Sequence, residues 1–376
     1  MANRKPAEVF PPGEFIGEEL EARGWSQVEL AEVLGRPPRL ISELIAGKRA
    51  ITPETAKGLG AAFGTGPQLW MNLERDYQLA NAIHDDVGVE RRAKLYEMVP
   101  VKEMVKRHWI EPSENVEVLE KRVLDFLHIS SLDEKPYLAH AAKKGTSYDA
   151  SAESAAQWAW LFRVKQLAEQ IRVPRFSKQR LEKAIGELES LMMAPEEAQS
   201  APRILSACGV RLVIVERLPN ANIDGACCWI NPEAPIIGMS LRRDKIDNFW
   251  FVLRHEIEHV LREHGQDSPV IDDLDGERAG TDESLPEIER IANAAASDFC
   301  VPAAKLDSFM LRNKPFYYER DVVAFARLQN RHPGLIVGQM QFRMRNYAYL
   351  AKHLAKIRSS VLPGAFVDGW GQVPSI

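Results

Sequence analysis

The sequence has no long apolar run. Nothing in its 376 residues approaches the roughly 18 consecutive apolar residues that a membrane span needs, so no membrane partner is expected. Cysteine is scarce. Cys208, Cys227, Cys228 and Cys300 form no Cys-x-x-Cys pair, and the neighbours 227 and 228 could bridge each other only with strain. That argues against a disulfide framework or a cysteine metal site and suits buried thiols in a reducing cytoplasm. Positive charge is not in excess either. With 48 Lys and Arg against 53 Asp and Glu the formal net charge is −5, which argues against non-specific coating of nucleic acid and confines any DNA contact to a local patch. The opening MANRKPAEVF has neither an apolar run nor a small-residue cleavage pattern, so no secretory signal is expected. Internal repeats and low-complexity segments are absent from the pattern.

What is present is a chain longer than one hydrophobic core usually serves, with the 45% hydrophobic and 27% charged content of an ordinary globular protein. Residues 1–82 read as short amphipathic helices. They run from Gly13 to Arg23, from Ser26, after Pro38, after Thr52-Pro53 and after Gly66-Pro67, each opened by a capping residue or a proline. Residues 83–200 are also helical in pattern, with breaks at Pro136, Pro174 and Pro195. Trp158, Leu161, Phe162, Lys165 and Leu167 form an amphipathic stretch there, which reads as packing rather than chemistry. From 201 to 376 the pattern becomes α+β. Val210–Glu216, Ala226–Ile230 and Ile236–Leu241 are short strands, and long helices follow.

The densest chemistry lies between Asn248 and His264. Apolar residues recur at helical spacing and no Gly or Pro intervenes before Gly265, which predicts a helix. His255 and His259 then lie one turn apart on one face, and Glu256 flanks them. In this His-Glu-x-x-His arrangement two neutral imidazoles can hold Zn²⁺ while the glutamate takes a proton from water that the ion activates. A bare match needs a third ligand. Position 265 is Gly rather than the histidine a metzincin would need, so a carboxylate on a later helix is the alternative. Residues 286–299 place small or apolar side chains at 288, 292, 295, 296 and 299, a face able to pack against the histidine helix. Glu289 sits beside that face, and Asn293, one turn on, could orient a ligand histidine through its amide oxygen. Glu283, Glu287, Asp272, Asp273 and Asp275 are nearby carboxylates of the same chemistry. The Asp- and Gly-rich segment 266–281 could cap the cleft or bind a cation but reads better as a solvated loop. Glu263 and His264 read as solvated, and Glu258, four residues from both Arg254 and Arg262, as part of a surface ion-pair row. Tyr317, Tyr318 and His332 are unranked candidates for an oxyanion donor.

These residues resemble the ImmA/IrrE family of metallopeptidases. The resemblance rests on the His-Glu-x-x-His helix, on Glu289-Arg-Ile-Ala-Asn293 running on to Phe299-Cys-Val-Pro302, and on the upstream Gly209–Pro219, and it covers about residues 200–345. It implies a zincin-like, gluzincin-type domain over 201–376 in which His255, His259 and Glu289 hold the zinc and Glu256 is the general base. It also implies an endopeptidase that cleaves a specific repressor rather than digesting proteins broadly. Cys300-Val301 departs from the more usual Leu-Met.

The N-terminal helices carry a second function. Ser26–Gly35 starts on a capping serine and ends in glycine, with Ala31 small enough for a close helix crossing, and Pro38–Arg49 follows after a short turn. This is a helix-turn-helix whose second element can enter a major groove. Residues 36–49 hold four basic residues and one acidic, the local patch that the net charge demands. Arg39, Ser42 and Glu43 are candidates to reach base edges, and Gln27, Lys48 and Arg49 to contact phosphates. From Pro12-Gly13-Glu14 through Trp70-Met-Asn-Leu73 to Leu79-Ala80 the stretch resembles the HigA/VapI group of antitoxins within the Xre-like repressors. That resemblance implies a homodimeric operator binder that could also clasp a HigB-like ribonuclease toxin. Pro37-Pro38 and Arg36 depart from the residues usual there.

The fold class expected is therefore multidomain, with an all-α helix-turn-helix domain at 1–82, a helical middle region at 83–200 and an α+β metallopeptidase domain with a small sheet at 201–376. Two functions are compatible with it. One is a cytoplasmic DNA-binding regulator that is also a zinc endopeptidase cleaving a repressor, a partner or itself. The other is a non-catalytic antitoxin and autorepressor whose peptidase-like domain senses or binds a partner.

Overall fold

The computed structural model describes residues 10–82, 86–134, 152–266, 269–272 and 286–372. The chain divides near residue 86 into two compact units, one mostly helical and one built on a small mixed sheet.

The first unit contains α1 (Pro12–Arg23), α2 (Gln27–Leu34), α3 (Pro38–Ile45), α4 (Pro53–Phe63) and α5 (Pro67–Asn81). Local signals set the helix ends. Ser26 and Glu29 form a reciprocal capping box at α2, with Ser26 Oγ accepting from Glu29 N at 3.2 Å and Ser26 N donating to Glu29 Oε2 at 2.7 Å. Gly24, Gly35 and Gly64 end α1, α2 and α4 in the left-handed conformation. The core gathers Ile16, Leu30, Ala31, Ile41, Leu44, Leu59 and Trp70. Gly13 lets α1 touch the end of α3, because a Cβ there would overlap the carbonyl oxygens of Leu44 and Ile45.

The second unit has helices on both faces of its sheet. Along the chain come α6 (Asp86–Met98), α7 (Val101–Lys106), α8 (Val116–Leu127), α9 (Ala152–Gln170), α10 (Lys178–Ser190) and α11 (Ala201–Ala207). They are followed by β1 (Arg211–Val215), β2 (Gly225–Trp229), β3 (Pro235–Met239), α12 (Ile246–Leu261), β4 (Val270–Asp272) and α13 (Glu287–Cys300). The unit ends with α14 (Ala303–Asn313), α15 (Glu319–Leu328), α16 (Pro333–Met344), α17 (Arg358–Val361) and β5 (Phe366–Asp368). The strand order is β4-β2-β3-β1-β5. β1 runs parallel to β3 and β5, whereas β2 runs antiparallel to β3 and β4.

Strand alternation sorts side chains between two cores. Val213, Val215, Ala226, Cys228 and Ile236 join Trp160, Phe162 and Val164 of α9 together with residues of α7 and α8. Leu212, Ile214, Cys227, Trp229, Ile237 and Met239 face α10, α12, α13 and α16. Both faces are covered, which is why β2 and β3 are buried at every position and lack the polar alternation of a one-sided sheet. The sequence pattern set 83–200 apart as a middle region. In the structure, helices of that stretch supply one face of the sheet's packing and lie within the second compact unit. The break expected at Pro136 lies outside the described residues. All four cysteines are buried and none is disulfide-bonded. Among the described residues no helix is long and apolar enough to cross a membrane.

Candidate functional site

In the first unit α2 and α3 form the helix-turn-helix. Gln27 is exposed at the first turn of α2, Arg39 and Ser42 are exposed on α3, and Lys48 and Arg49 are exposed just beyond it. Glu43 is less exposed than Arg39 and Arg49. Its Oε1 accepts from Arg39 Nε at 2.8 Å and its Oε2 from Arg49 Nε at 3.0 Å. These hydrogen bonds, Arg39's foremost, hold the Glu43 carboxyl below the ordinary glutamate range. Ser42 Oγ donates to Arg39 O at 2.9 Å, within its own helix. Of the three residues expected at base edges, Arg39 presents a guanidinium outward, while Glu43 bridges Arg39 and Arg49 at the surface.

In the second unit α12 crosses the sheet beside α13 and α16 and is buried from Ile246 to Leu261. His255 and His259 are fully buried, with their Nε2 atoms 3.0 Å apart. Glu289 of α13 brings Oε2 to 3.3 Å from His255 Nε2 and 3.6 Å from His259 Nε2. Asn293, one turn further, sets Oδ1 3.0 Å from His255 Nδ1. A proton on that Nδ1 donates to the amide oxygen and leaves the Nε2 lone pair for the centre of the cluster. The structure thus brings together His255, His259, Glu289 and Asn293, with Glu256 on the same helix and fully buried.

It adds residues that the sequence pattern ranked low. Asp272, at the end of β4, places Oδ2 3.4 Å from His255 Nε2 and 3.8 Å from His259 Nε2. Register explains this. Asp272 lies directly opposite Gly225 on β2, and paired residues on adjacent strands point to the same face. A Cβ on Gly225 would overlap Glu256 Oε1, so that face looks onto α12. The only hint of this in the sequence is Val270-Ile271, two β-branched residues too short to separate from a loop. His264, expected to be solvated, is half-buried. Its Nδ1 lies 3.0 Å from His259 Nδ1, and its carbonyl accepts from Trp229 Nε1 at 2.7 Å. The ion pairs around Glu258 exist, 2.7 Å from both Arg254 and Arg262, but the Arg254–Glu258 pair is buried because α12 is central rather than superficial. Of the segment 266–281, residues 269–272 are described beyond Gln266. Asp273, Asp275 and Glu283 lie outside the described residues. Tyr318 is exposed, Tyr317 O accepts from Tyr349 OH at 2.8 Å, and His332 caps α16 by accepting from Gly334 N at 3.0 Å.

The electrostatics of the cluster are extreme. Burial alone would lower the His255 pKa, but the Asp272 and Glu289 carboxylates outweigh it and raise the value to about 9. Burial, then Asp272 and Glu289, push the Glu256 carboxyl well above the usual carboxylate range. Burial would raise Glu289, but the His255 and His259 imidazoles beside it hold it well below that range.

Do these residues fit a metal ion? Asp272 Oδ2, Glu289 Oε2 and both Glu256 oxygens are buried with no hydrogen-bond partner among the described residues. Buried carboxylate oxygens without a donor are costly, and a cation offsets that cost. One ligand atom from each of His255, His259, Asp272 and Glu289 lies within 4.8 Å of all the others. The separations that involve the two imidazoles, 3.0 to 3.8 Å, bracket the edges of about 3.3–3.6 Å of a tetrahedron with bonds of about 2.0–2.2 Å. Imidazole nitrogens with carboxylate oxygens are a donor set suited to zinc. The residues fit.

Residues 16–70 match the helix-turn-helix family. An uncharacterised HTH-type transcriptional regulator of Escherichia coli (strain K12), YddM, is 38% identical over 84 residues, which span 22% of this chain and 88% of that protein. The chain belongs to the helix-turn-helix regulators. Virulence-associated protein I of Dichelobacter nodosus is 38% identical over 89 residues, covering 23% of this chain and 82% of that protein. Among solved structures, an addiction module antidote protein of a HigA family from Coxiella burnetii is 36% identical, covers 19% of this chain and 79% of its own, and has a TM-score of 0.19.

The family match ends at residue 70 and bears on the first unit of this regulator. Its own departure is the entry to α3. Pro37 stands at the N-cap with no side-chain bond to the helix, Pro38 occupies the first turn, and Arg36 is paired with Glu54. A proline in the first turn costs no backbone hydrogen bond, so α3 forms, but the polar side chain that usually caps such a helix is missing.

Proposed function

We propose that this helix-turn-helix regulator is also a zinc-dependent endopeptidase, with His255, His259 and Glu289 as metal ligands and Glu256 as general base, acting on a repressor, a partner protein or itself. The observation that carries the reading is the convergence of two imidazoles and carboxylates from separate elements, with Glu256 buried beside them and both of its oxygens unpartnered. Bound Zn²⁺ would activate water and polarise a scissile carbonyl. Asn293 fixes the orientation of His255, and His264 backs His259 from the far side of its ring. Glu256, buried beside the cluster, is placed to take a proton from water and return it to the departing amine. In the other unit the exposed Arg39, Lys48 and Arg49 supply the operator contacts, Gln27 adds a phosphate contact, and dimerisation would set the spacing of two half-sites.

A second reading is favoured by one specific observation. Four protein donors surround the cluster centre, whereas a catalytic zinc uses three and leaves the fourth position open. On that reading the protein is an antitoxin-type autorepressor whose second unit grips a partner such as a toxin. Against it, such a protein has no chemical need for the buried base Glu256.

Metal analysis with a single substitution separates the two. Purified protein should hold about one zinc per chain. Glu256→Gln should keep that zinc and the operator affinity while its physiological target stays intact in cells where the wild type shortens it. A metal-free, fully folded preparation would end the peptidase reading, and undiminished cleavage by the variant would remove Glu256 from the mechanism.

A further inference from the structure

We infer that Asp272 is a dissociable fourth metal ligand, so that the centre is latent as folded, and that an extended peptide opens it by taking the place of strand β4 along the edge of β2. The inference rests on the metal-centre reading above and goes beyond it.

The observations come from backbone and side chain separately. Asp272 Oδ2 is buried, lacks a hydrogen-bond partner among the described residues and lies 3.4 and 3.8 Å from the Nε2 atoms of His255 and His259, close enough to share one cation with them. Asp272 therefore holds the position that a hydrolytic centre leaves to water. The carrier of this ligand is slight. β4 is three residues long, lies at the edge of the sheet and pairs antiparallel with β2 over Gly225, Ala226 and Cys227. A further hydrogen bond runs from Asp224 N to Asp272 O at 2.8 Å. An extended segment can make those same backbone bonds to a sheet edge, which is how strand addition recognises peptides. Such a segment would present its backbone to the cluster in the register where β4 now presents Asp272. Gly225, the residue opposite Asp272, has no side chain and so lets the Glu256 carboxylate lie against β2 in that same register.

The test uses full-length protein stripped of metal and reloaded with Co²⁺, read by visible absorption, with acetohydroxamate as the probe for an open coordination position. The wild type should show an intense four-coordinate spectrum that millimolar acetohydroxamate leaves unchanged. Asp272→Ala should still bind Co²⁺, show a spectrum altered before any addition, and bind acetohydroxamate at least tenfold more tightly. Asp272→Asn, nearly the same shape, keeps the experiment decisive if the alanine variant does not fold, and should also take up the probe. If the wild type and both variants bind Co²⁺ with the same spectrum and the same affinity for acetohydroxamate, Asp272 is not a ligand and this inference fails while the metal centre stands. If the folded wild type takes up no Co²⁺, the metal-centre reading fails with it.

Discussion

Gly225 and Glu256 share one volume: a methyl group on the strand residue would occupy the position of the Oε1 atom on the helix residue. The glycine is therefore part of the site although it has no chemistry of its own. Gly225→Ala should destabilise the protein by about 1–3 kcal/mol, the usual cost of overpacking a filled interior. It should also turn the Glu256 carboxylate away from the cluster. Urea unfolding and metal analysis check this, with zinc content retained, cleavage lost and the unfolding midpoint lowered. A variant as stable and as active as the wild type would show that β2 and α12 can separate at no cost.

Proton release on metal uptake is the second expectation. In metal-free protein His255 has a pKa raised to about 9, so it is protonated at pH 7.5, whereas a metal ligand must be neutral. Zinc binding should then release at least about one proton per chain, measurable by titration calorimetry in two buffers of different ionisation heat. The sign for stability follows from the same shift. A histidine raised in the folded state adds stability that is fully present below the unfolded value of about 6.5 and is lost as pH rises through about 9. Metal-free protein should accordingly lose stability across that window. Zinc-loaded protein should not, because its ligand histidine carries no proton there to lose.

The third concerns DNA. Lys48 is exposed just beyond α3, at the end of the local basic patch. Lys48→Ala should weaken binding to operator and unrelated duplex alike, and lower the slope of log affinity against log salt by about one unit. Fluorescence anisotropy at several salt concentrations decides it, and an unchanged slope would mean Lys48 touches no phosphate.

The helices of the first unit were legible because their signals are local. Ser26, Thr52, Gly35 and the first-turn prolines act within four residues of where they stand. The histidine pair was legible for the same reason, since one helical turn fixes its geometry. Glu289 and Asn293 needed a guess about which helices pack, and the run of small residues on α13 carried that information. Asp272 was hidden. Its position depends on a strand pairing between residues 225 and 272, and nothing within a short window of sequence reports a partner nearly fifty positions away. The pairing of Glu43 with Arg39 and Arg49 was hidden too, because it is made by side-chain rotamers rather than by residue type.

Gly13 has a consequence for genetics. It belongs to α1, yet its missing side chain sets how closely that helix meets the last turn of α3. Any larger residue there must lever the reading helix out of its seat. A screen for operator-blind mutants should therefore recover substitutions at this buried site alongside those at the exposed arginines, and lost repression at Gly13 would be a fault of alignment rather than of contact.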